Sequence, residues 1–189
     1  FSRPNLPNAF AILILFFAST QLGLHFWPDS TLVYGIRIDY LAPTLYLLDL
    51  LIIIYLVLKK AIIPAALSPL LPILLLNLVF SVNPLATLSW SLHLLLYLMF
   101  VLAIPAKLLR DSLVKILPIA ILFQVVLGFL QVIKGGALEG AFYLLGERAI
   151  SLTTPNAAKA VAFGQTTLRA YGTFSHPNTM AGYLVVSFL

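Results

Sequence analysis

Charged residues are so widely spaced along this chain that the uncharged intervals between them, rather than any alternation of polar and apolar positions, carry the structural signal. A helix crossing a bilayer core about 30 Å thick needs roughly 20 predominantly apolar residues. Intervals of that order recur. No charge falls between Arg3 and Asp29, which predicts a first span over about 9–27, closed by Trp27 and Pro28. A second runs from about Leu41 to Leu58 and stops at Lys59 and Lys60. Residues 61–106 are uncharged throughout, and the Asn83-Pro84 turn signal divides them into spans of about 62–82 and 84–105. Pro64, Pro69 and Pro72 crowd the first half of the third span, which predicts a kink or an interfacial start. A fifth span covers roughly Ser112 to Ile133, and a sixth, over 177–189, begins near Pro177 and is cut off at Leu189.

Continuous apolar runs, in place of short alternating segments, favour helices over a barrel, because each backbone group in lipid must bond internally. The predicted fold class is therefore all-α. It is a polytopic transmembrane helix bundle over 1–189 as one domain, with five complete spans, a truncated sixth, and a long extracytoplasmic loop over 134–176 before it. A start at Phe1 and a stop inside an apolar run read as the N-terminal fragment of a larger protein. The first run lacks a basic leader and an A-x-A site, so it reads as a retained span and not as a signal peptide.

Composition sharpens this picture. Hydrophobic residues make up 61% of the chain and charged residues 9%, with a mean hydropathy of +1.05. Soluble domains carry roughly 25% charged residues, so water-soluble, secreted, disordered and nucleic-acid-binding classes are set aside. The net charge of +5 is then first a topology signal. With the N-terminus in the cytoplasm, Arg3, Lys59, Lys60, Lys107, Arg110 and Lys115 share the cytoplasmic side, and the short outer loops hold only Arg37. Trp27, Tyr34, Tyr40, Trp90 and Tyr171 then fall near the outer interface, where amphipathic rings are favoured. The absence of cysteine excludes disulfides, CxxC pairs and thiolate metal sites.

Among residues able to carry chemistry, Asp49 lies in the middle of the predicted second span, where an ionised carboxylate costs roughly 2.5–3.5 kcal/mol. Asp49, His93 and Gln124 each fall about 13 Å below the outer ends of their predicted spans, at 1.5 Å per residue. They form a candidate intramembrane polar cluster. It reads either as a proton relay lining a cavity or as hydrogen bonding between helices, worth about 0.6 kcal/mol per contact. Gln21, His25 and Asn77 read as interhelical or interfacial residues. Scattered histidines without HExxH or DxD spacing offer no metal shell, and no Walker loop, GxGxxG or GxSxG occurs.

The loop over 134–176 is long for a connection, and such loops are commonly functional. Ala141 to Leu145 and Ala157 to Phe163 predict short helices on the bilayer surface, with Glu147, Arg148 and Lys159 toward water. Its end reads Arg169-Ala-Tyr-Gly-Thr-Phe-Ser-His-Pro-Asn178 and enters the sixth span. Gly172 permits a tight turn, Ser175 or His176 can cap, and proline suits the first helical position. Free N–H groups at such a helix start favour an anion, and Arg169 adds a fork suited to phosphate oxygens. Equally, the same residues turn the chain into the span, with Arg169 reaching lipid phosphates.

At this motif, Arg169, Gly172, Thr173, Phe174, His176, Pro177, Asn178, Ala181 and Gly182 resemble the R-x-x-G-T-F-x-H-P-N-x-x-A-G signature of the O-antigen ligase and O-antigen polymerase family. The stretch from Gly35 to Pro43, the Asn83-Pro84 turn and Gly146 to Ser151 are similar to the N-terminal part of such proteins. The resemblance implies a lipid-carrier-dependent glycosyltransferase of lipopolysaccharide biosynthesis in the bacterial inner membrane, with the motif loop on the periplasmic or extracellular face. It would move glycan from undecaprenyl pyrophosphate to a lipid or glycan acceptor, or to a protein in some relatives. No sugar nucleotide, metal or other cofactor is implied. The partners are the carrier-linked glycan, its acceptor and membrane lipids. Arg169, His176 and Asn178 are the implied pyrophosphate-binding residues, and Gly172, Phe174 and Pro177 shape the helix entry. The catalytic base is expected beyond Leu189, so 1–189 alone is expected to be inactive. Two further readings stand beside this one: a secondary transporter with its path at Asp49, His93 and Gln124, and a structural membrane subunit.

Overall fold

The computed structural model describes residues 6–162 and 164–188. Arg3, Phe163 and Leu189, which entered the charge count, a predicted surface helix and the sixth span, lie outside them. In chain order the helices are α1 (Leu6–Phe17), α2 (Leu47–Leu58), α3 (Leu70–Val79), α4 (Pro84–Ala103), α5 (Ala106–Lys134), α6 (Ala141–Leu144) and α7 (Pro177–Ser187). The strands are β1 (Gly23–His25), β2 (Leu32–Val33), β3 (Ile36–Arg37), β4 (Thr44–Tyr46), β5 (Lys159–Ala162) and β6 (Gln165–Leu168). They form three two-stranded sheets, β1–β4, β2–β3 and β5–β6, each antiparallel.

This architecture overturns the six-span, all-helical bundle. Among the described residues, only α4 and α5 are long and apolar enough to cross a membrane, at 20 and 29 residues. The reasons are local. The predicted first span breaks after α1 because the Ser19 and Thr20 hydroxyls bond back to the carbonyls of Phe16 and Phe17, at 3.1 and 2.9 Å. Hydroxyls that compete for carbonyls in this way suit helix ends better than interiors. Its remainder becomes β1, paired with β4 from Gly23↔Tyr46 to His25↔Thr44. The predicted second span is likewise part strand, since β4 precedes a helix of only 12 residues. In the third, Pro64 and Pro69 each flank the start of a helical turn, leaving a 3₁₀ turn over Ala65–Leu67 and the 10-residue α3. The segment 157–163 was expected to be helical, yet Lys159–Ala162 is strand β5, rich in positions that pair with β6.

The chain divides into two compact units. The first comprises residues 1–11 and 23–109. Here α2 packs on α4 through an edge-on pair of rings, Tyr55 and Phe100, at 5.2 Å. Asn83 caps α4 by accepting from the Ala86 N–H at 3.2 Å, with Pro84 at the first helical position. The Asn83 amide also donates to the Ser30 carbonyl at 2.9 Å, tying the helix start to the loop before β2. Strands β2 and β3 join through Tyr34-Gly35, both at positive φ (52° and 76°), as a tight two-residue hairpin requires.

The second unit comprises residues 12–22 and 110–189. Its long element is the part of α5 beyond Leu109. Pro118 lies inside this helix, where it removes one backbone donor. After α5 the chain crosses itself at Gly136↔Ser151, makes the single turn α6, forms the β5–β6 hairpin and enters α7.

Candidate functional site

The Arg169–Asn178 segment is irregular from Arg169 to Ser175 and helical from Pro177. Irregular backbone leaves N–H and C=O groups that must find partners where water is excluded. Here they find two glutamines of α5. Gln131 accepts from the backbone N–H groups of Tyr171 and Gly172 at 3.2 and 2.8 Å. Its amide donates to the Gly172 carbonyl and to Glu147 Oε1, both at 2.9 Å. All four hydrogen-bonding positions of that side chain are thus used. One level along the helix, Gln124 accepts from the Thr173 N–H at 3.0 Å and donates to the Thr173 hydroxyl and the Ser19 carbonyl, each at 2.9 Å. The Thr173 hydroxyl donates onward to the Ser19 carbonyl at 2.8 Å.

Spacing explains the pairing. Residues seven apart on an α-helix return to nearly one face, so both amides look out at the same strip of loop. Gly172 makes the approach possible, since its φ is +58° and a Cβ there would meet Gln124 Oε1. Helix α7 comes as close: a Cβ on Gly128 would lie 3.0 Å from the Met180 methyl and 3.1 Å from the Ala170 Cβ.

Glu147 is only 3% exposed and faces inward, which corrects its expected placement toward water. Its Oε1 accepts from the Leu138 N–H at 2.8 Å and its Oε2 from the Glu139 N–H at 2.7 Å, in addition to Gln131. Backbone donors of this kind stabilise a buried carboxylate. Tyr171 is buried too, not interfacial, and its hydroxyl accepts from the Ala158 N–H at 2.6 Å. That bond, with Arg169 N–H donating to the Ala158 carbonyl at 3.1 Å, fastens the motif to the base of the β5–β6 hairpin.

The motif therefore has two halves. Tyr171, Gly172, Thr173 and Phe174 are buried anchors, whereas Arg169, Ser175, His176 and Asn178 are exposed. In the exposed half, Arg169 Nη2 donates to Asn178 Oδ1 at 3.2 Å, and His176 Nδ1 accepts from the Asn178 N–H at 3.1 Å as the cap of α7. A neutral imidazole accepting at Nδ1 carries its proton on Nε2. His176 is then a donor toward solvent, as are the rest of the Arg169 guanidinium and the Asn178 amide nitrogen. Pro177 occupies the first helical position and is buried.

The polar cluster proposed for Asp49, His93 and Gln124 is only partly assembled. Asp49 and His93 do meet, with His93 Nε2 3.1 Å from Asp49 Oδ2. Gln124 is fully buried against Ser19 and Thr173 instead. Nor is Asp49 in mid-span: it stands in the first turn of α2, and its Oδ2 accepts from the Tyr46 N–H at 2.7 Å. Among the described residues, its other oxygen is buried with no hydrogen-bond partner. Rings enclose the imidazole, with Tyr46, Tyr97 and Trp90 centred 5.4, 5.9 and 6.3 Å away. His25 stacks on Trp27 at 5.7 Å.

No group of three or more His, Cys, Asp or Glu side chains among the described residues is placed to hold a metal ion. Sequence reasoning singled out the motif but missed Gln131, Glu147 and Ser19 as groups that hold it, and gave Gln124 a different role. The available signal was a second glutamine seven residues after the first on an otherwise apolar helix. Compared with protein-family models, curated proteins and solved structures, the chain matches none.

Proposed function

We propose that this chain belongs to a membrane glycosyltransferase that moves glycan from an undecaprenyl-pyrophosphate carrier to a lipid or glycan acceptor, of the O-antigen ligase or polymerase type. The observation that carries the reading is the exposed trio of Arg169, His176 and Asn178 at the N-terminal end of α7, presented by a buried, fully bonded anchor. In this reading α4 and α5 cross the bacterial inner membrane, the basic end of α5 lies in the cytoplasm, and the motif lies on the outer face. The irregular backbone of 171–174 suits that setting, because non-helical chain near membrane depth is tolerated where protein buries it.

The transfer breaks the bond between the anomeric carbon and the pyrophosphate oxygen and forms one to an acceptor hydroxyl. Negative charge collects on the leaving pyrophosphate. Donors fixed in advance at such a site stabilise the transition state without reorganising. Arg169 supplies a permanent charge with several N–H groups, and His176 and Asn178 add neutral donors beside the positive end of the α7 dipole. Since all three act as donors, their task is the leaving group, and none takes the acceptor's proton.

Replacing Arg169 with Ala is expected to lower transfer of labelled glycan from the carrier by about 10²–10³-fold while membrane insertion is kept. Arg169→Lys should recover only part, because a point charge does not replace a planar fork. Normal transfer by Arg169→Ala overturns the reading. A transport path through Asp49, His93 and Gln124 has weaker support, since one of the three caps a helix and another holds the motif.

A further inference from the structure

A groove in the first unit of about 410 Å³ opens between α3 and α4 beside the Tyr40-Leu41 turn. Its chemistry is unusual for so apolar a chain. Trp90 is 58% exposed, and its indole N–H donates to the Tyr40 carbonyl at 3.1 Å, so the ring is held by its edge with more than half of the residue's surface uncovered. Tyr40 is 69% exposed on the same rim. Asn77, the one amide in α3, and Ser91 line the groove as well, and neither side chain has a partner among the described residues. Leu74 and Leu94 supply apolar walls. No lining residue is charged.

We infer that this groove binds a neutral saccharide. Ligand sites are mostly apolar clefts in which a few polar groups fix orientation. A pyranose has an apolar face of C–H groups and a rim of hydroxyls. An exposed indole ring matches the first, and an unpaired carboxamide with an adjacent hydroxyl matches the second. An uncharged lining gives a phosphate or carboxylate no ionic partner, and a plain acyl chain would leave Asn77 and Ser91 unbonded against hydrocarbon, at a cost. The groove reads the sugar, not the carrier's charge. This goes beyond glycan transfer and holds whether or not the chain catalyses it.

The test uses the whole protein in lipid nanodiscs free of glycosidic detergents, whose headgroups would themselves compete. Methyl glycosides of glucose, galactose, mannose and N-acetylglucosamine are titrated by saturation-transfer NMR. At least one should bind saturably, and Trp90→Ala should weaken it by about tenfold or more. Trp90→Phe keeps a ring and should retain most binding. Asn77→Ala, a change at an exposed position, should weaken binding severalfold and alter the preference among the sugars. Absence of saturable binding for every glycoside overturns the inference. So does binding indifferent to both Trp90→Ala and Asn77→Ala, displacement of the sugar by inorganic phosphate, or occupancy of the groove by decyl phosphocholine in place of sugar. Loss of transfer in Arg169→Ala with sugar binding intact supports both readings, whereas a failed transfer assay with sugar binding intact removes only the transferase.

Discussion

Gly172 and Gly182 sit ten residues apart in one motif, yet a methyl group should act on them in opposite directions. Gly172 has a φ of +58°, and its backbone presses on the Gln124 amide. An L-residue held in that region costs roughly 1–2 kcal/mol before any clash is counted. Gly182 lies inside α7 with open space around a new Cβ, where glycine is about 0.5–1 kcal/mol worse than alanine. Thermal unfolding in nanodiscs should therefore show a lower midpoint for Gly172→Ala and an equal or higher one for Gly182→Ala. If Gly172→Ala unfolds at the parent's midpoint, the close seat on Gln124 is wrong. The signature makes the two glycines look alike in the sequence, and only backbone geometry separates them.

At the scale of the element, α2 illustrates how a charge marks a boundary. In a hydropathy reading, Asp49 is an anomaly inside an apolar run; in the fold it is the third residue of the helix, whose carboxylate reaches back to cap the Tyr46 N–H and also bonds to His93. Removing a helix cap typically costs about 1 kcal/mol. Asp49→Ala should accordingly speed amide hydrogen exchange at Tyr46 and through the first turn of α2, and leave α7 unchanged. Exchange that stays slow in that turn would show that packing on α4, and not the carboxylate, fixes the start. Long uninterrupted helices were legible for a related reason. Asn83-Pro84 announces α4 by cap chemistry, and α5 carries only an isolated Ser112 and an isolated Pro118, neither of which ends it before Lys134. The short elements were not legible, because α1, α2 and α3 are as apolar as the long ones. What ends them is a pair of hydroxyls at Ser19 and Thr20, a strand pairing at β4, and clustered prolines, each of which depends on contacts a hydropathy window does not weigh. The β5–β6 hairpin escaped although its pairing is local, from Lys159↔Leu168 to Ala162↔Gln165, because four-residue strands give little alternation to read.

For the whole molecule, the proposed crossing by α5 has a direct test that the cysteine-free chain makes clean. Asp111→Cys and Thr166→Cys each introduce a single thiol, one near the basic end of α5 and one on β6. A membrane-impermeant maleimide added from outside intact cells should label the second and spare the first, which should react only after the cytoplasmic side is opened. Labelling of both from one side would mean that α5 does not cross. Candidate chemistry was legible at the motif, where residue types and spacing coincide in a short stretch. The groups that hold the motif were not, because Ser19, Gln124, Gln131 and Glu147 are far apart in sequence and meet only in the folded unit. That meeting has a mechanical consequence. Five hydrogen bonds from two amides tie residues 171–173 to one face of α5, so the anchor of the motif and that face of the helix hold one another in register.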